Sequence, residues 1–246
     1  MTKDILIIAA THGDEPISVE VVRELETDRN DFDWIIGNPK ALETGERYCE
    51  KDLNRSAPGN KESSVFEERR ATEILEKSRR YLYTIDIHGT IKDTGVFIII
   101  TRPSEQNLKL ASLFDIPRIV IWPSIAEEQK GPLSEYFPCG LEIECGRKDD
   151  PKIKQQLKTS LTNFLDSYKE NERGDWQERL KQKQSFEMYG SLKKTDCADP
   201  SFLKEFREVT IESETFTPVF IGSYDYDDVL CYKLRKISPE QVVSPK

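Results

Sequence analysis

The sequence predicts an α/β fold in which a mixed, mostly parallel β-sheet is flanked by helices and followed by a small C-terminal β domain. In the first two thirds of the chain, apolar runs of strand length alternate with charged, amphipathic segments, which is typical of layered α/β proteins. After about residue 172 the chain becomes polar and then continues in short, strand-like runs. We therefore expect a first domain over residues 1–176 and a β-rich domain over residues 177–246.

Each predicted element follows from a local pattern. Strands are predicted where β-branched and other apolar residues form short runs, and helices where apolar residues recur in a longer charged segment. In chain order the runs of the first domain are ILIIAA, EPISVEVVRELE, DWIIG, SSVFEERRATEILEKSRR, YLYTIDIHG, GVFIII, SEQNLKLASLFD, RIVIW, GLEIEC and DPKIKQQLKTSLTNFLDSYKEN, of which the second, fourth, seventh and last are helical. The second domain is predicted from the runs SFEMYGSL, EVTIES, TPVFIG and VLCYKLRKI.

Composition and charge argue against several functional classes. The 246 residues carry a net charge of −9, and nucleic-acid binding is disfavoured because phosphate contacts need basic surfaces. No run of about 18 apolar residues is present, so we expect no membrane span. The five scattered cysteines form no paired motif and the N-terminus does not resemble a signal peptide, which together predict a cytoplasmic location. The sequence leaves open whether the chain forms a homo-oligomer.

Both histidines of the chain follow predicted strands. His12 comes after ILIIAA, with Glu15 three residues later, and His88 ends the strand YTIDIHGT. Active sites of α/β sheets are built at the carboxyl ends of strands, and two histidines with one carboxylate form a known catalytic zinc set. The alternative is that both are hydrogen-bonded loop residues, since H-x-x-E is a weak motif by itself. From spacing alone the two interpretations stand about even.

The segment over residues 37–59 is long, polar and rich in turn-forming residues. It contains Arg47, Asp52, Asn54 and Arg55, and loops of this length are uncommon unless they are functional. Arginine and asparagine supply donors for a carboxylate or a developing oxyanion. The alternative is a solvated loop with surface ion pairs, each worth about 0–1 kcal/mol.

A pair of glutamates lies in the run CGLEIECGR. Glu142 and Glu144 are two residues apart, so on a strand they share one face. A carboxylate beside a metal-activated water acts as a general base, and a like charge nearby raises the pKa of one of the two groups. We therefore expect Glu142 to tune Glu144 or to repel some acidic substrates. The alternative is a strand with one solvated face.

Together, the stretches THGDE, NPKALETGERYCEKDLNR, DIHGT and LEIECG, in this order, resemble the succinylglutamate desuccinylase/aspartoacylase family within the zinc-carboxypeptidase clan. TPVFIGSYDY is similar to the C-terminal β-domain motif of that family. The resemblance implies a zinc-carboxypeptidase-like catalytic domain that holds one zinc ion per chain. It implies that His12, Glu15 and His88 bind the zinc and that Glu144 is the catalytic glutamate.

The resemblance also assigns substrate contacts. It implies that Arg47 polarises the scissile carbonyl, that Asn54 and Arg55 hold a substrate carboxylate, and that Asp52 supports the metal and the loop. Tyr226 is the implied substrate-site tyrosine, with Tyr224 as the alternative. The implied activity is zinc-dependent hydrolysis of the amide bond of a small, acidic N-acyl amino acid. A metallocarboxypeptidase acting on short peptides and a non-catalytic binder of a small acidic ligand are the competing hypotheses.

Three departures from the family pattern bear on the substrate. Asp14 stands where the family prefers asparagine, which adds negative charge near the predicted metal. Ser134 occupies the place of a substrate-binding arginine of aspartoacylases, with Lys130 as the nearest basic residue. Arg147 and Lys148 replace a Pro-Gln pair after the catalytic strand. These departures argue against N-acetylaspartate as the substrate but leave open whether it is accepted.

Overall fold

The computed structural model describes residues 3–125, 129–172, 174–222, 228–238 and 241–242. The strands in these segments, numbered along the chain, are β1 (Ile5–Ala9), β2 (Asp33–Ile36), β3 (Tyr83–Thr90), β4 (Val96–Ile100), β5 (Arg118–Ile121), β6 (Gly140–Gly146), β7 (Gln184–Lys193), β8 (Val209–Ile211), β9 (Glu214–Val219) and β10 (Val229–Ile237). The α-helices are α1 (Ile17–Asp28), α2 (Pro39–Thr44), α3 (Phe66–Ser78), α4 (Glu105–Ser112), α5 (Pro151–Asn171) and α6 (Trp176–Lys181).

All these strands belong to one sheet, in the order β2-β1-β3-β6-β4-β5-β7-β10-β9-β8. The pairs β1–β2, β1–β3, β3–β6, β4–β5 and β5–β7 are parallel, whereas β4 runs antiparallel to β6. The last three strands pair antiparallel with their neighbours. The predicted mixed, mostly parallel sheet with C-terminal β-strands is therefore confirmed.

β7 connects the two parts of the sheet. Its first residues, Gln184–Glu187, pair in parallel with β5, and residues 185–193 pair antiparallel with β10. The C-terminal strands therefore extend an edge of the main sheet. The division into domains at residue 176 stays a prediction.

The core lies on both faces of the central strands. In β1, Ile5, Ile7 and Ala9 pack into one apolar cluster with α1 and α5, whereas Leu6 and Ile8 pack into another with α3. Every residue of β1 is fully buried, which explains why its sequence is continuously apolar rather than alternating. In the part of the chain that the structure describes, no helix combines the length and apolar character needed to cross a membrane.

The polar segment over residues 37–59 contains the short helix α2. The Asn38 side chain accepts a hydrogen bond from the backbone N–H of Ala41, and Pro39 occupies the first turn. Gly45 ends the helix in the left-handed conformation, at φ 70°. Six residues are too few to show a helical period, so only these capping residues indicate the helix in the sequence.

Candidate active site

The predicted site residues meet at the carboxyl ends of β1, β3 and β6. Ala10 has a φ of 52°, which turns the chain out of β1, and its N–H donates to the Ser18 hydroxyl at 2.9 Å. This turn directs His12 toward β3. His88 lies directly opposite Glu144 in the parallel pairing of β3 with β6. The three strand ends line a pocket of about 420 Å³.

The three predicted metal ligands lie within contact distance of one another. His12 Nδ1 is 2.9 Å from Glu15 Oε1 and 3.3 Å from His88 Nδ1, and His88 Nδ1 is 3.4 Å from Glu15 Oε2. Each of the three residues is only 2% exposed. The arrangement places two ring nitrogens and a carboxylate around one point, which is a donor set suited to a divalent metal ion.

A second carboxylate stands behind each histidine. Asp52 Oδ1 is 2.9 Å from His12 Nε2, and Asp86 Oδ2 is 3.2 Å from His88 Nε2. The Thr11 hydroxyl donates to the other oxygen of Asp86 at 2.7 Å. The Asp52 carboxylate at His12 Nε2 favours the tautomer with its proton on that nitrogen, which leaves the Nδ1 lone pair for a metal. His88 Nε2 and Asp86 Oδ2 lie within ion-pair distance but do not have hydrogen-bond geometry. The residues present therefore fit the zinc ion that the sequence implies.

The electrostatics of the cluster favour positive charge at its centre. Burial alone would lower the pKa of His88, but the carboxylates of Asp86 and Glu15 raise it well above its usual value. Burial alone would raise the pKa of Glu15, yet His12 and His88 hold it well below its usual value. Protons or a metal cation supply that positive charge equally well.

Glu144 and Glu142 both line the pocket, which confirms that they share one face of β6. Burial is the main cause that raises the pKa of Glu144, and with the carboxylates of Glu15 and Glu142 it outweighs the opposing effect of His88, so that the pKa lies at about 8. A carboxyl group whose pKa lies near neutrality suits proton transfer in both directions.

The segment that carries Arg47 is held in place by a buried carboxylate, Glu67 of α3. Its oxygens accept hydrogen bonds from the backbone N–H groups of Cys49 at 2.8 Å and Lys51 at 3.3 Å. The Asn38 side chain donates to the same carboxylate at 3.1 Å. This anchor was not identified from the sequence, because Glu67 lies in a helix whose other glutamates are largely solvated.

Within that segment the predicted substrate-binding residues reach the pocket. Arg47 donates to Glu15 at 3.2 Å and to Asp52 at 3.3 Å, so it lies beside the candidate metal ligands. The guanidinium of Arg55 donates to the carbonyl oxygen of Asn54 at 2.7 Å. All three predicted residues line the pocket, and their roles toward a substrate stay predictions.

Glu142 is the centre of a buried hydrogen-bond network. It accepts from the Asn54 side chain at 3.2 Å and from the Ser134 hydroxyl at 2.8 Å. Asn54 Oδ1 in turn accepts from the backbone N–H of Leu133 at 2.9 Å, which fixes the orientation of its amide group. Ser134, noted above as a departure from the family pattern, therefore supports Glu142.

Two further departures from the family pattern contact each other. The Lys148 ammonium donates to Asp14 Oδ2 at 2.8 Å across the rim of the pocket. The negative charge that Asp14 was expected to add near the metal is therefore balanced by Lys148. Such a partly exposed pair contributes little to stability, but it fixes the charge at the rim.

The remaining wall of the pocket was not foreseen from the sequence. It includes Ile99, Trp122 and Phe220, the last of which comes from the C-terminal part of the chain. Trp122 directly follows β5, so its place at a strand end was the available signal. Tyr226 and the alternative Tyr224 lie outside the described residues.

Comparison with known proteins gives consistent matches. Residues 1–168 match the family described as "Succinylglutamate desuccinylase/Aspartoacylase catalytic domain". A probable aspartoacylase of Prochlorococcus marinus (strain MIT 9515) is 37% identical over 171 residues, covering 61% of this chain and 57% of that protein. A probable aspartoacylase of Nostoc sp. is 28% identical over 272 residues, covering 90% of this chain and 92% of that protein. The chain thus spans less than two thirds of the Prochlorococcus relative and most of the Nostoc one.

Two solved structures share the fold. Murine aminoacylase 3 superposes with a TM-score of 0.73 at 19% identity, covering 96% of both chains. The succinylglutamate desuccinylase of Chromobacterium violaceum also gives a TM-score of 0.73, at 14% identity, covering 100% of this chain and 86% of that one. At these identities the two structures establish the fold alone.

Proposed function

Since the chain belongs to the succinylglutamate desuccinylase/aspartoacylase family, we propose that it is a zinc-dependent hydrolase that cleaves the amide bond of a small N-acyl amino acid. The observation that carries this proposal is the buried cluster of His12, Glu15 and His88, with a carboxylate behind each histidine. A structural role alone does not require two ring nitrogens to face each other at 3.3 Å.

His12, Glu15 and His88 would hold the zinc ion. When bound, zinc supplies a Lewis acid that acidifies a water molecule and polarises the acyl carbonyl. Asp52 keeps the His12 imidazole oriented with its proton on Nε2, and Asp86 supplies negative charge beside His88 Nε2.

Glu144 is the proposed general base and acid. It lies opposite His88 across adjacent strands and lines the same pocket. It takes a proton from the attacking water and then delivers that proton to the leaving amine, so that the nitrogen departs as a neutral group. One carboxylate therefore serves both proton transfers.

Arg47, Asn54 and Arg55 are the proposed substrate contacts. Arg47 lies beside Glu15, where its guanidinium stabilises negative charge on the acyl oxygen, and one such donor is typically worth about 3 kcal/mol in the transition state. Arg55 holds the substrate carboxylate together with the fixed amide of Asn54. Tyr226 is retained as a proposed contact from the C-terminal part.

The proposal is tested by metal analysis together with hydrolysis assays. We expect one zinc ion per chain and release of free amino acid from N-acetyl or N-succinyl amino acids. Glu144→Gln should lose at least about a hundredfold in kcat while retaining zinc, as expected for a general base. Glu62→Gln, an exposed glutamate that is not among the residues lining the pocket, is the matched control and should leave kcat unchanged.

Three outcomes would count against the proposal. Full activity in Glu144→Gln would refute the mechanism. Hydrolysis of dipeptides in preference to all N-acyl amino acids would favour the carboxypeptidase hypothesis. Zinc binding without turnover of any amide would favour a non-catalytic binder.

A further inference from the structure

We propose that the preferred substrate carries a single carboxylate and an uncharged apolar side chain, as in an N-acyl derivative of an aromatic or large aliphatic amino acid. This inference rests on the proposed function and names the substrate class of the same pocket. It follows from three features of the pocket: an apolar wall, the commitment of its cationic side chains, and the position of a buried carboxylate.

The apolar wall consists of Ile99, Trp122 and Phe220. Ile99 pairs with Glu142 in the antiparallel ladder of β4 and β6, so both side chains emerge on the same face of the sheet. The rings of Trp122 and Phe220 lie 5.7 Å apart, and Trp122 also packs on Tyr232 of β10 at 4.9 Å. The wall is thus the pocket-facing edge of an apolar cluster to which both parts of the chain contribute, in which Ile99 and Phe220 are buried and Trp122 is partly exposed.

Phe220 is held in this wall at a conformational cost. Its φ is 58°, a left-handed conformation that residues other than glycine rarely adopt. The Glu205 carboxylate accepts hydrogen bonds from the N–H groups of Phe220 at 2.9 Å and Ile221 at 2.8 Å, which fixes this backbone. Glu205 therefore fixes the backbone that carries this ring, and the ring packs on Phe97 in the core with the ring centroids 5.7 Å apart.

The lysine and arginine side chains among the described pocket residues are already engaged. Arg47 contacts the carboxylates of Glu15 and Asp52, and Lys148 contacts Asp14. Arg55 donates to the Asn54 carbonyl oxygen and is the guanidinium proposed to hold the one substrate carboxylate. A second substrate carboxylate would have to displace one of these contacts.

Glu142 makes a second carboxylate still less favourable. It is 5% exposed, lines the pocket and lies next to Ile99 of the apolar wall. Ser134, which donates to Glu142, adds no positive charge that would attract an anion. A dicarboxylic substrate whose second acid group entered this region would meet a buried carboxyl group whose two described hydrogen-bond donors, Asn54 and Ser134, are uncharged.

An apolar side chain meets none of these costs. It would replace water chiefly on Trp122, the partly exposed member of the wall, and burial of apolar surface is favourable. The pocket volume of about 420 Å³ lies within the range of about 300–1,000 Å³ that is usual for small-molecule sites.

The test compares kcat/KM of the zinc-loaded full chain for N-acetylphenylalanine, N-acetylleucine, N-acetylalanine, N-acetylaspartate and N-succinylglutamate. We expect the kcat/KM for N-acetylphenylalanine and N-acetylleucine to be about tenfold or more above the values for the dicarboxylic N-acetylaspartate and the tricarboxylic N-succinylglutamate. A difference of this size is what a hydrophobic pocket achieves. The reverse order would overturn the inference and leave the proposed function intact. Failure of every substrate to react would instead count against the proposed function.

Two variants test the structural basis of the preference. Trp122→Ala should lower kcat/KM for N-acetylphenylalanine by about tenfold and change that for N-acetylalanine by less than about threefold. Phe202→Ala, an exposed aromatic outside the pocket, is the control and should change neither. Glu142→Gln should raise the ratio of N-acetylaspartate to N-acetylphenylalanine turnover, and an unchanged ratio would contradict the role of Glu142.

A binding measurement keeps the inference testable without turnover. Calorimetric titration of the Glu144→Gln protein should give a lower Kd for N-acetylphenylalanine than for N-acetylaspartate. Equal Kd values or tighter binding of N-acetylaspartate would overturn the inference. This measurement also covers the case in which Trp122→Ala does not fold, because it needs no change in the wall.

Discussion

Replacement of Asp52 separates the support of His12 from the placement of Arg47. Asp52 Oδ1 contacts His12 Nε2 at 2.9 Å and accepts from the Asn54 N–H at 2.8 Å, whereas Oδ2 accepts from Arg47 at 3.3 Å. Asp52→Ala removes all of these contacts and leaves the buried His12 Nε2 proton without its acceptor. Loss of a carboxylate behind a metal-binding histidine typically lowers metal affinity 10–100-fold, which corresponds to about 1.4–2.7 kcal/mol.

Asp52→Asn is the informative comparison. Its remaining oxygen can keep the contacts to His12 and Asn54, but its amide nitrogen replaces Oδ2 and opposes the donors of Arg47. We therefore expect a smaller loss of zinc affinity than in Asp52→Ala, together with a loss of kcat because Arg47 is displaced. Zinc affinity is measured by competition with a chromophoric chelator, and kcat by amino-acid release.

The matched control is Asp33→Ala, which removes a carboxylate that pairs with Lys3 and Tyr81 instead of the pocket. It should leave zinc affinity unchanged. If Asp52→Ala binds zinc within about threefold of the original chain, the support of His12 by Asp52 is refuted.

Three further predictions concern pH, backbone packing and the rim. The pKa of Glu144 is raised from 4.5 to about 8, so between these pH values the folded metal-free chain keeps a proton that the unfolded chain loses. The contribution of Glu144 to the unfolding free energy is therefore full below pH 4.5 and is lost as the pH rises toward 8. Chemical denaturation at several pH values measures how much the unfolding free energy decreases per pH unit in this window. Glu144→Gln should make that decrease smaller by up to about 1.4 kcal/mol per pH unit, and an unchanged decrease would contradict the raised pKa. A Cβ at Gly13 would lie 2.1 Å from the Ala41 carbonyl carbon, so Gly13→Ala should destabilise the chain by about 1–3 kcal/mol in thermal unfolding and weaken zinc binding. Gly190→Ala, where the Cβ would meet only the Lys233 Cε at 3.5 Å, is the control and should do neither. Asp14→Asn and Lys148→Met should each change the unfolding free energy by less than about 1 kcal/mol, and a coupling above about 1 kcal/mol in the double-mutant cycle would show that the pair does more than balance charge.

Much of the sheet could be predicted because its central strands are buried on both faces. β1 and β4 are continuously apolar runs bounded by polar segments, so their sequence alone indicates strands. The pairing of β7 with both β5 and β10 could not be predicted, because it joins residues that lie at least 36 positions apart and depends on tertiary packing. α2 escaped prediction because one and a half turns show no period.

The candidate metal ligands could be predicted because strand ends meet at one edge of a parallel sheet. His12 follows β1 and His88 lies near the carboxyl end of β3, and because these two strands are neighbours the side chains come together. Asp86 was missed because it lies inside β3 and has the pattern of an ordinary strand residue. Phe220 was missed because a left-handed backbone and a long-range anchor place its ring, and neither leaves a local signal.

Anomalous diffraction at the zinc absorption edge, from crystals of the protein grown with zinc, tests the central claim most directly. The account predicts one strong anomalous peak between His12 Nδ1, His88 Nδ1 and the Glu15 carboxylate, and loss of that peak in His88→Ala. An active enzyme without an anomalous peak at these residues would contradict it.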